Sequence, residues 1–204
     1  MQKTSLNILT EKIDSYAKKV LKESRYKHSV RVAKYAAHLA ELNNRKNQNA
    51  EAVSPQLAYF TGLAHDICKD ESDGILLKTV EKDGLGIDDI EKERPNLLHG
   101  RAAAIILKNE FGITDNSVLN AVAFHTFGYE GIDDLGKIIY IADKIEPERP
   151  GTEEFRLVAE TASLDSLMLT VLDWRNEYVL KKGGKIHPFT KKMYDQIKKA
   201  VDVQ

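Results

Sequence analysis

The chain has 204 residues, which is enough for one substantial hydrophobic core and crowded for two full domains. Hydrophobic residues make up 42% of the chain and charged residues 30%, proportions that exclude a disordered or low-complexity protein. The 30 lysines and arginines nearly balance the 31 aspartates and glutamates, which argues against polymeric nucleic acid as a partner held by a basic field.

Cysteine usage and hydropathy indicate the compartment. Cys68 is the single cysteine, so a disulfide within the chain is excluded, and residues 1–4 lack the apolar core of a secretory signal. No segment approaches the roughly 20 consecutive apolar residues that a membrane-spanning helix needs. We therefore expect a cytoplasmic protein without a membrane partner.

Apolar residues recur every three or four positions, whereas strict alternation is scarce, and this pattern predicts an all-α protein. The first amphipathic helix is predicted from about Tyr26 to Leu42. Its apolar stripe includes His28, which is therefore expected to face inward.

The second predicted helix carries an adjacent histidine and aspartate. A capping serine followed by a first-turn proline opens it at residues 54–55, and it is expected to run to about Lys69. His65 and Asp66 then lie near its C-terminal end. Residues 71–95 are rich in glycine and acids and predict short helices and loops that could form one wall of a cleft.

The next two predicted helices each carry one histidine. One spans residues 98–112 and aligns His99 with apolar residues. The other is capped by Asp115 or Asn116 and ends before Gly128, so that His125 lies at its exit.

The helix after residues 133–134 places an acid, Asp143, on an apolar face and is closed by Pro147. Beyond Gly151 the pattern predicts one long amphipathic helix that reaches the glycine pair at 183–184. A basic helix is expected from about Pro188 to the end of the chain.

The inward histidines and acids together form a candidate metal site. Each histidine alone is more simply a hydrogen-bonded core residue, but a lone buried carboxylate such as Asp143 costs several kcal/mol unless a cation compensates it. Imidazoles with carboxylates suit iron, manganese, zinc or nickel, and the lack of clustered thiolates disfavours a structural zinc site. The expected site is catalytic in type and is assembled by packing several helices.

Five short segments carry a family resemblance. They are His28-Ser29-Val30-Arg31-Val32, the run from His65 to Lys69, Leu97-Leu98-His99-Gly100, His125-Thr126-Phe127-Gly128, and the run from Ile141 to Arg149. They resemble the HD-domain metal-dependent phosphohydrolases and, more narrowly, the YqeK-type HD proteins, a family of symmetrical diadenosine tetraphosphate hydrolases. The likeness covers about residues 25–150 and returns around residues 185–190.

The resemblance implies an HD-domain helical bundle with an additional C-terminal helical segment. We expect residues 1–204 to form a single helical domain, with the metal-binding core at about 25–150 and the C-terminal helices at about 151–204. The oligomeric state stays open, with a homodimer as one alternative.

The resemblance also implies the metal ligands. The main metal would be held by His28, His65, Asp66 and Asp143. Iron is the cofactor usually associated with the family, and manganese, nickel and zinc are alternatives. His99 and His125 either contact substrate phosphates, which we favour, or complete a second metal site in which Asp66 bridges ions about 3.5–4 Å apart.

The implied reaction splits diadenosine tetraphosphate symmetrically into two ADP, by attack of a metal-bound water or hydroxide on a phosphoanhydride. The expected catalytic residues are His65, Asp66 and Lys69. The expected substrate contacts are His28, Lys69, His99, His125, Thr126, Asp143, Arg149, Ile186 and His187.

Several of these contacts have an alternative interpretation. Lys69 lies four residues after His65 and could reach over the metal, or it could be an exposed lysine at a helix end. Arg149 could fork onto a phosphate or form a surface salt bridge to Glu146 or Glu148. His187 could stack on the base, or the tail could simply start the last helix.

Two other functions compete with this hypothesis. Because the metal ligands do not select the base, the protein could be a phosphatase or phosphodiesterase acting on another nucleotide. It could also be a nucleotide-sensing or partner-binding HD module without turnover, although the complete set of ligands argues against that.

Overall fold

The computed structural model describes residues 3–47 and 53–202. Met1, Gln2, residues 48–52 and residues 203–204 lie outside the described part, and so do the ends of the predicted single domain over residues 1–204. Within that part the chain forms eleven α-helices and two short 3₁₀ helices, without a strand. The prediction of an all-α protein is therefore confirmed.

The helices are, in chain order, α1 (Lys3–Val20), α2 (Glu23–Lys46), α3 (Pro55–Ala64), α4 (Asp73–Val80), α5 (Asp89–Glu93), α6 (His99–Glu110), α7 (Asn116–Ala123), α8 (Asp134–Ile145), α9 (Glu153–Thr161), α10 (Leu164–Lys181) and α11 (Pro188–Asp202). The 3₁₀ helices span Glu81–Asp83 and Pro95–Leu98. Of the described helices, none is both long and apolar enough to cross a membrane.

The centre of the fold is α8, which packs against α2, α3, α7 and α10. Its residues from Ile138 to Ala142 are all buried. Asp133 caps its first turn by accepting a hydrogen bond from the backbone N–H of Gly136 at 2.8 Å. A helix surrounded by others holds the side chains at its C-terminal end in fixed positions, and Asp143 is one of them.

Two glycines allow the close helix contacts on which the site depends. A Cβ atom at Gly62 of α3 would lie 2.8 Å from the Ala33 Cα of α2. A Cβ atom at Gly100 of α6 would lie 2.7 Å from the carbonyl oxygen of Val122 in α7. Any larger residue would push these helices apart, and the histidines that follow Gly62 and precede Gly100 would separate with them.

The prediction that one helix runs from residue 55 to Lys69 is wrong at its end. Helix α3 stops at Ala64, and His65 and Asp66 lie in tight turns, with hydrogen bonds such as that from the Lys69 N–H to the Asp66 carbonyl at 2.8 Å. The His65 side chain contacts the Gly62 carbonyl oxygen at 2.6 Å. In a continuing helix the Gly62 carbonyl oxygen would accept a hydrogen bond from the backbone N–H of Asp66, so the His65 side chain competes with the helix for this acceptor.

The prediction of one long helix after Gly151 is also wrong, because α9 and α10 are separated at Ala162 and Ser163. Ser163 accepts a hydrogen bond from the Ser166 N–H at 3.2 Å and so starts a new helix. Lys46 reaches the last carbonyl groups of α9 and contacts the Ala162 oxygen at 2.9 Å. Capping from both sides stabilises the break.

Candidate metal centre

Three histidines from different elements share one local arrangement. Their ring Nδ1 atoms contact the carbonyl oxygen three residues earlier, at 2.6 Å from His65 to Gly62, 2.6 Å from His99 to Asn96, and 2.8 Å from His125 to Val122. Because a carbonyl oxygen can only accept, each Nδ1 carries the hydrogen and donates it. In the neutral imidazole the lone pair is then left on Nε2, which is the usual arrangement for a metal-binding histidine.

The Nε2 atom of His65 is buried and has no hydrogen-bond partner among the described residues. It lies 3.5 Å from the Asp66 carboxylate and 3.7 Å from the Asp143 carboxylate. Burial lowers the proton affinity of this imidazole, but the two carboxylates outweigh it and raise the pKa of His65. Their charge attracts a metal ion to the same lone pair, since metals and protons compete for one nitrogen.

The other two histidines converge on the opposite side of Asp66. The Nε2 atoms of His99 and His125 lie 3.0 Å apart. The Oδ1 atom of Asp66 is 2.9 Å from the first and 3.4 Å from the second. Burial lowers the pKa of His125 to about 3, so this ring stays neutral and keeps its lone pair at ordinary pH.

His28, on α2, differs because both of its ring nitrogens face carboxylates. Nε2 lies 3.1 Å from Asp143 Oδ1, and Nδ1 lies 3.2 Å from Glu146 Oε1. In the neutral ring only one of these contacts can contain a hydrogen. A proton or a metal ion on the other nitrogen satisfies the second contact, and a metal ion on Nε2 with Nδ1 donating to Glu146 would form a carboxylate–histidine–metal arrangement.

Glu146 is held by a fork from Arg31, whose Nε and Nη2 atoms donate to its two oxygens at 2.8 and 3.2 Å. The backbone N–H of Glu148 also donates to it at 2.8 Å. Burial opposes ionisation of Glu146, but these donors outweigh it and lower the pKa. Glu146 is therefore ionised and fixed behind His28.

The donor atoms fit one metal ion or a pair. One set, His28, His65 and Asp143, and another, His65, Asp66 and His125, each place their ligand atoms within 4.8 Å of one another. Burial opposes ionisation of Asp66 and Asp143, but the His65 imidazole beside Asp66 and the Lys144 ammonium beside Asp143 hold the pKa of each carboxyl well below its usual range. Ionised carboxylates beside imidazole lone pairs suit a divalent transition metal.

Cationic groups surround this cluster on the side of the cleft. Lys69 Nζ lies 3.0 Å from the Nε2 atom of His99, which it reaches from the turn after α3 and not from a helix face. Arg149 Nη2 lies 3.2 Å from Asp143 Oδ1. The acids at 146 and 148 are instead paired with Arg31.

Two clefts open beside the cluster. The metal-side cleft has a volume of about 360 Å³ and is lined by Lys69, His125, Asp143, Arg149, Trp174 and others. The tail cleft has a volume of about 250 Å³ and is lined by Ile90, Arg94, Phe127, Ile186 and His187 among others. The segment between residues 71 and 95 thus does contribute a cleft wall, as predicted, through short helices.

The tail residues are tied to the start of α5 and to the loop after α7. His187 is buried, its Nε2 atom lies 2.6 Å from Asp88 Oδ2, and its ring stacks on Phe127 at 3.9 Å between centroids. Thr190 donates to the Phe127 carbonyl oxygen at 2.7 Å. Thr126, just before Phe127, lines both clefts and its hydroxyl has no partner among the described residues.

Sequence reasoning missed three residues of the site. Lys144 lies between the Asp143 carboxylate at 2.8 Å and the His125 carbonyl oxygen at 2.7 Å. Glu146 supports His28, and its position three residues after Asp143 on one helix face could have revealed it. Arg175 lines both clefts from α10, where no motif marks it.

Comparisons with known proteins agree with this geometry. The family model for the HD domain matches residues 25–148. The chain is 36% identical to a Staphylococcus aureus protein named "Bis(5'-nucleosyl)-tetraphosphatase, symmetrical", over 79% of this chain and 80% of that one. It is 35% identical to a protein of the same name from Halalkalibacterium halodurans, over 87% and 90% of the two chains.

A solved structure is similar to this one over most of the chain. It comes from Clostridium acetobutylicum and is described as a predicted HD superfamily hydrolase involved in NAD metabolism. It superposes with a TM-score of 0.83 at 34% identity and covers 93% of this chain and 97% of its own. The likeness therefore includes the C-terminal helices as well as residues 25–148.

Proposed function

The chain belongs to the HD domain family, and on this basis we propose that it hydrolyses diadenosine tetraphosphate symmetrically to two ADP. The carrying observation is the convergence of buried imidazole lone pairs on two carboxylates, with the unpartnered Nε2 atom of His65 at the centre. The names of the curated relatives support the substrate. The cationic side chains beside the cluster suit the negatively charged phosphate chain of diadenosine tetraphosphate.

We propose that His28, His65, Asp66 and Asp143 hold the main metal, and that this metal is iron. His99 and His125 contact substrate phosphates or complete a second site around Asp66. A bound divalent ion supplies positive charge that lowers the pKa of water from about 15.7 toward roughly 7 and attracts phosphate oxygens.

The chain's own residues then bind and orient the phosphates. Lys69 and Arg149 bring positive charge to the metal-side cleft, where charge develops on the transferred phosphoryl group. Lys144 holds the Asp143 carboxylate in place. The free hydroxyl of Thr126 is available to donate to a phosphate oxygen.

We propose that the tail cleft takes one nucleoside. Ile186 and His187 line it, and the contact between His187 and Asp88 holds the tail against the start of α5. With one ring face stacked on Phe127, the His187 imidazole closes the cleft as a rigid wall.

The wider expectations belong to the same proposal. The metal-binding core and the C-terminal helices form one domain, which the packing of α10 on α8 supports. The protein works in the cytoplasm on a small nucleotide, without polymeric nucleic acid or a membrane as partner, and a homodimer is one alternative for its assembly.

The test is product identification from diadenosine tetraphosphate with protein purified anaerobically and assayed for bound metals. Two ADP per substrate are expected, together with iron in the protein. ATP plus AMP as products would contradict symmetrical cleavage. Faster turnover of mononucleotides would assign the site to another nucleotide, and tight binding without turnover would make the protein a sensor.

A further inference from the structure

The two clefts meet at four residues that line both of them: Thr126, Lys144, Arg175 and Tyr178. His125 and the proposed metal ligand Asp143 line only the metal-side cleft and not the tail cleft. A substrate whose reacting centre lies beside His125 and Asp143 can therefore extend in two directions. One direction leads into the tail cleft, and the other stays in the metal-side cleft.

The wall of the metal-side cleft far from the tail comes from α10. Trp174 lines this cleft but not the tail cleft, and its ring packs on Phe155 with centroids 5.0 Å apart. The guanidinium carbon of Arg175 lies 5.4 Å from the Trp174 ring centroid and 4.9 Å from that of Tyr178, which is 47% exposed. Two aromatic faces and a cation therefore border one opening.

Arg175 has no ion-pair or hydrogen-bond partner within the described part of the chain. Its position is instead held by the two aromatic rings beside it. The other arginines at the site, Arg31 and Arg149, each contact a carboxylate. The Arg175 charge is thus available to a phosphate in the cleft, which a planar guanidinium binds in a fork.

The aromatic rings and the guanidinium group at this opening match the second nucleoside diphosphate of the substrate, which the tail cleft does not accommodate. Symmetrical cleavage places the attacked phosphorus beside the metal, with one nucleoside diphosphate on each side of the bond that breaks. We infer that Trp174 and Arg175 form the subsite for the second nucleoside diphosphate, with the indole stacking on the base and the guanidinium binding its phosphates. This inference rests on the proposed function, because only a dinucleotide needs a second nucleoside subsite.

Intrinsic fluorescence tests the contact directly, because Trp174 is the single tryptophan of the chain. The metal-loaded protein is titrated with ADP and with inorganic tripolyphosphate, and ligand binding is measured in parallel by equilibrium dialysis. Saturable quenching by ADP, without quenching by tripolyphosphate, is expected from base stacking. ADP that binds to saturation without changing the emission would overturn the subsite.

Kinetics of matched variants give the second test. The readout is kcat/KM for diadenosine tetraphosphate divided by kcat/KM for adenosine 5′-tetraphosphate, which lacks the second nucleoside. Trp174→Leu is expected to lower this ratio about tenfold through the lost base stacking, and Trp174→Phe is expected to restore most of it. Arg175→Met should lower kcat/KM for the dinucleotide, whereas the exposed control Arg45→Met should change neither value.

The two tests separate this subsite from the proposed function. Equal losses on both substrates, or no loss with Trp174→Leu, would overturn the subsite even if two ADP are produced. Quenching by ADP in a protein that does not cleave the dinucleotide would support nucleoside binding at Trp174 and contradict the proposed function instead.

Discussion

Residues 25–148 and the C-terminal helices contribute to the site in different ways. In the first region three of the four inward imidazoles, those of His65, His99 and His125, are oriented by main-chain carbonyl groups three residues earlier. In the second, residues such as Trp174 and His187 line clefts and are placed by packing between distant segments. The difference indicates that metal binding and nucleotide selection are physically separable, so variants in the two regions should fail in different ways.

The largest effect is expected from removing the acid between the two histidine groups. Asp66→Asn should lower hydrolysis at least about a hundredfold, because the ionised carboxylate lies within 3.5 Å of the Nε2 atoms of His65, His99 and His125. Activity and bound metal are measured together, with helical content by circular dichroism. The exposed Asp195→Asn serves as a control, and retained hydrolysis by Asp66→Asn would exclude a metal mechanism.

A smaller loss is expected from changing Glu146, which supports His28, the proposed ligand that lacks a main-chain acceptor. Glu146→Gln should weaken metal affinity roughly 10–100-fold, since it removes the charge that supports the imidazole. The measurement is the rate of metal loss to a chelator. Glu148→Gln, an exposed neighbour that also pairs with Arg31, is the matched control. Identical chelation rates for the Glu146 variant and the wild type would show that Glu146 plays no part in holding the metal.

The pH dependence of stability sharpens the comparison within the metal-free protein. Because burial lowers the pKa of His125 from 6.5 to about 3, the unfolded chain binds one proton more than the folded chain between these values. The free energy of unfolding should therefore fall as the pH drops below about 6.5, by up to ~1.4 kcal/mol per pH unit from this residue. When the free energy of unfolding is measured with urea at several pH values, it should depend less steeply on pH for His125→Gln than for the wild type. An unchanged slope would mean that His125 does not titrate this way.

The smallest effect is expected in the tail. His187→Ala removes the contacts with Asp88 and Phe127 and should raise KM by roughly three- to tenfold. The effect is small because the Asp88 side of the hydrogen bond is partly exposed to water. Metal content should stay at the wild-type level. Lys192→Gln on the exposed face of α11 is the control. Loss of metal in the His187 variant would contradict the separation of the two regions.

Helical periodicity predicted most of the site because it depends on local sequence. His28 and Asp143 sit on apolar stripes of α2 and α8, and a polar group on such a stripe is visible without coordinates. The exit of a helix at His125 was predicted, but the end of α3 before His65 was not. At His65 the side chain competes for the Gly62 carbonyl oxygen, and a pattern of apolar residues does not record that competition.

The sequence by itself determined the helical class, the candidate metal-binding residues and the family, because each follows from residue identity at short spacing. Only the tertiary structure decided which groups meet. Glu146 reaches His28 across 118 positions, Asp88 reaches His187 across 99, and Arg175 stands where two clefts join. Such contacts depend on helix packing, where a single close approach such as Gly62 against Ala33 sets the distance between elements.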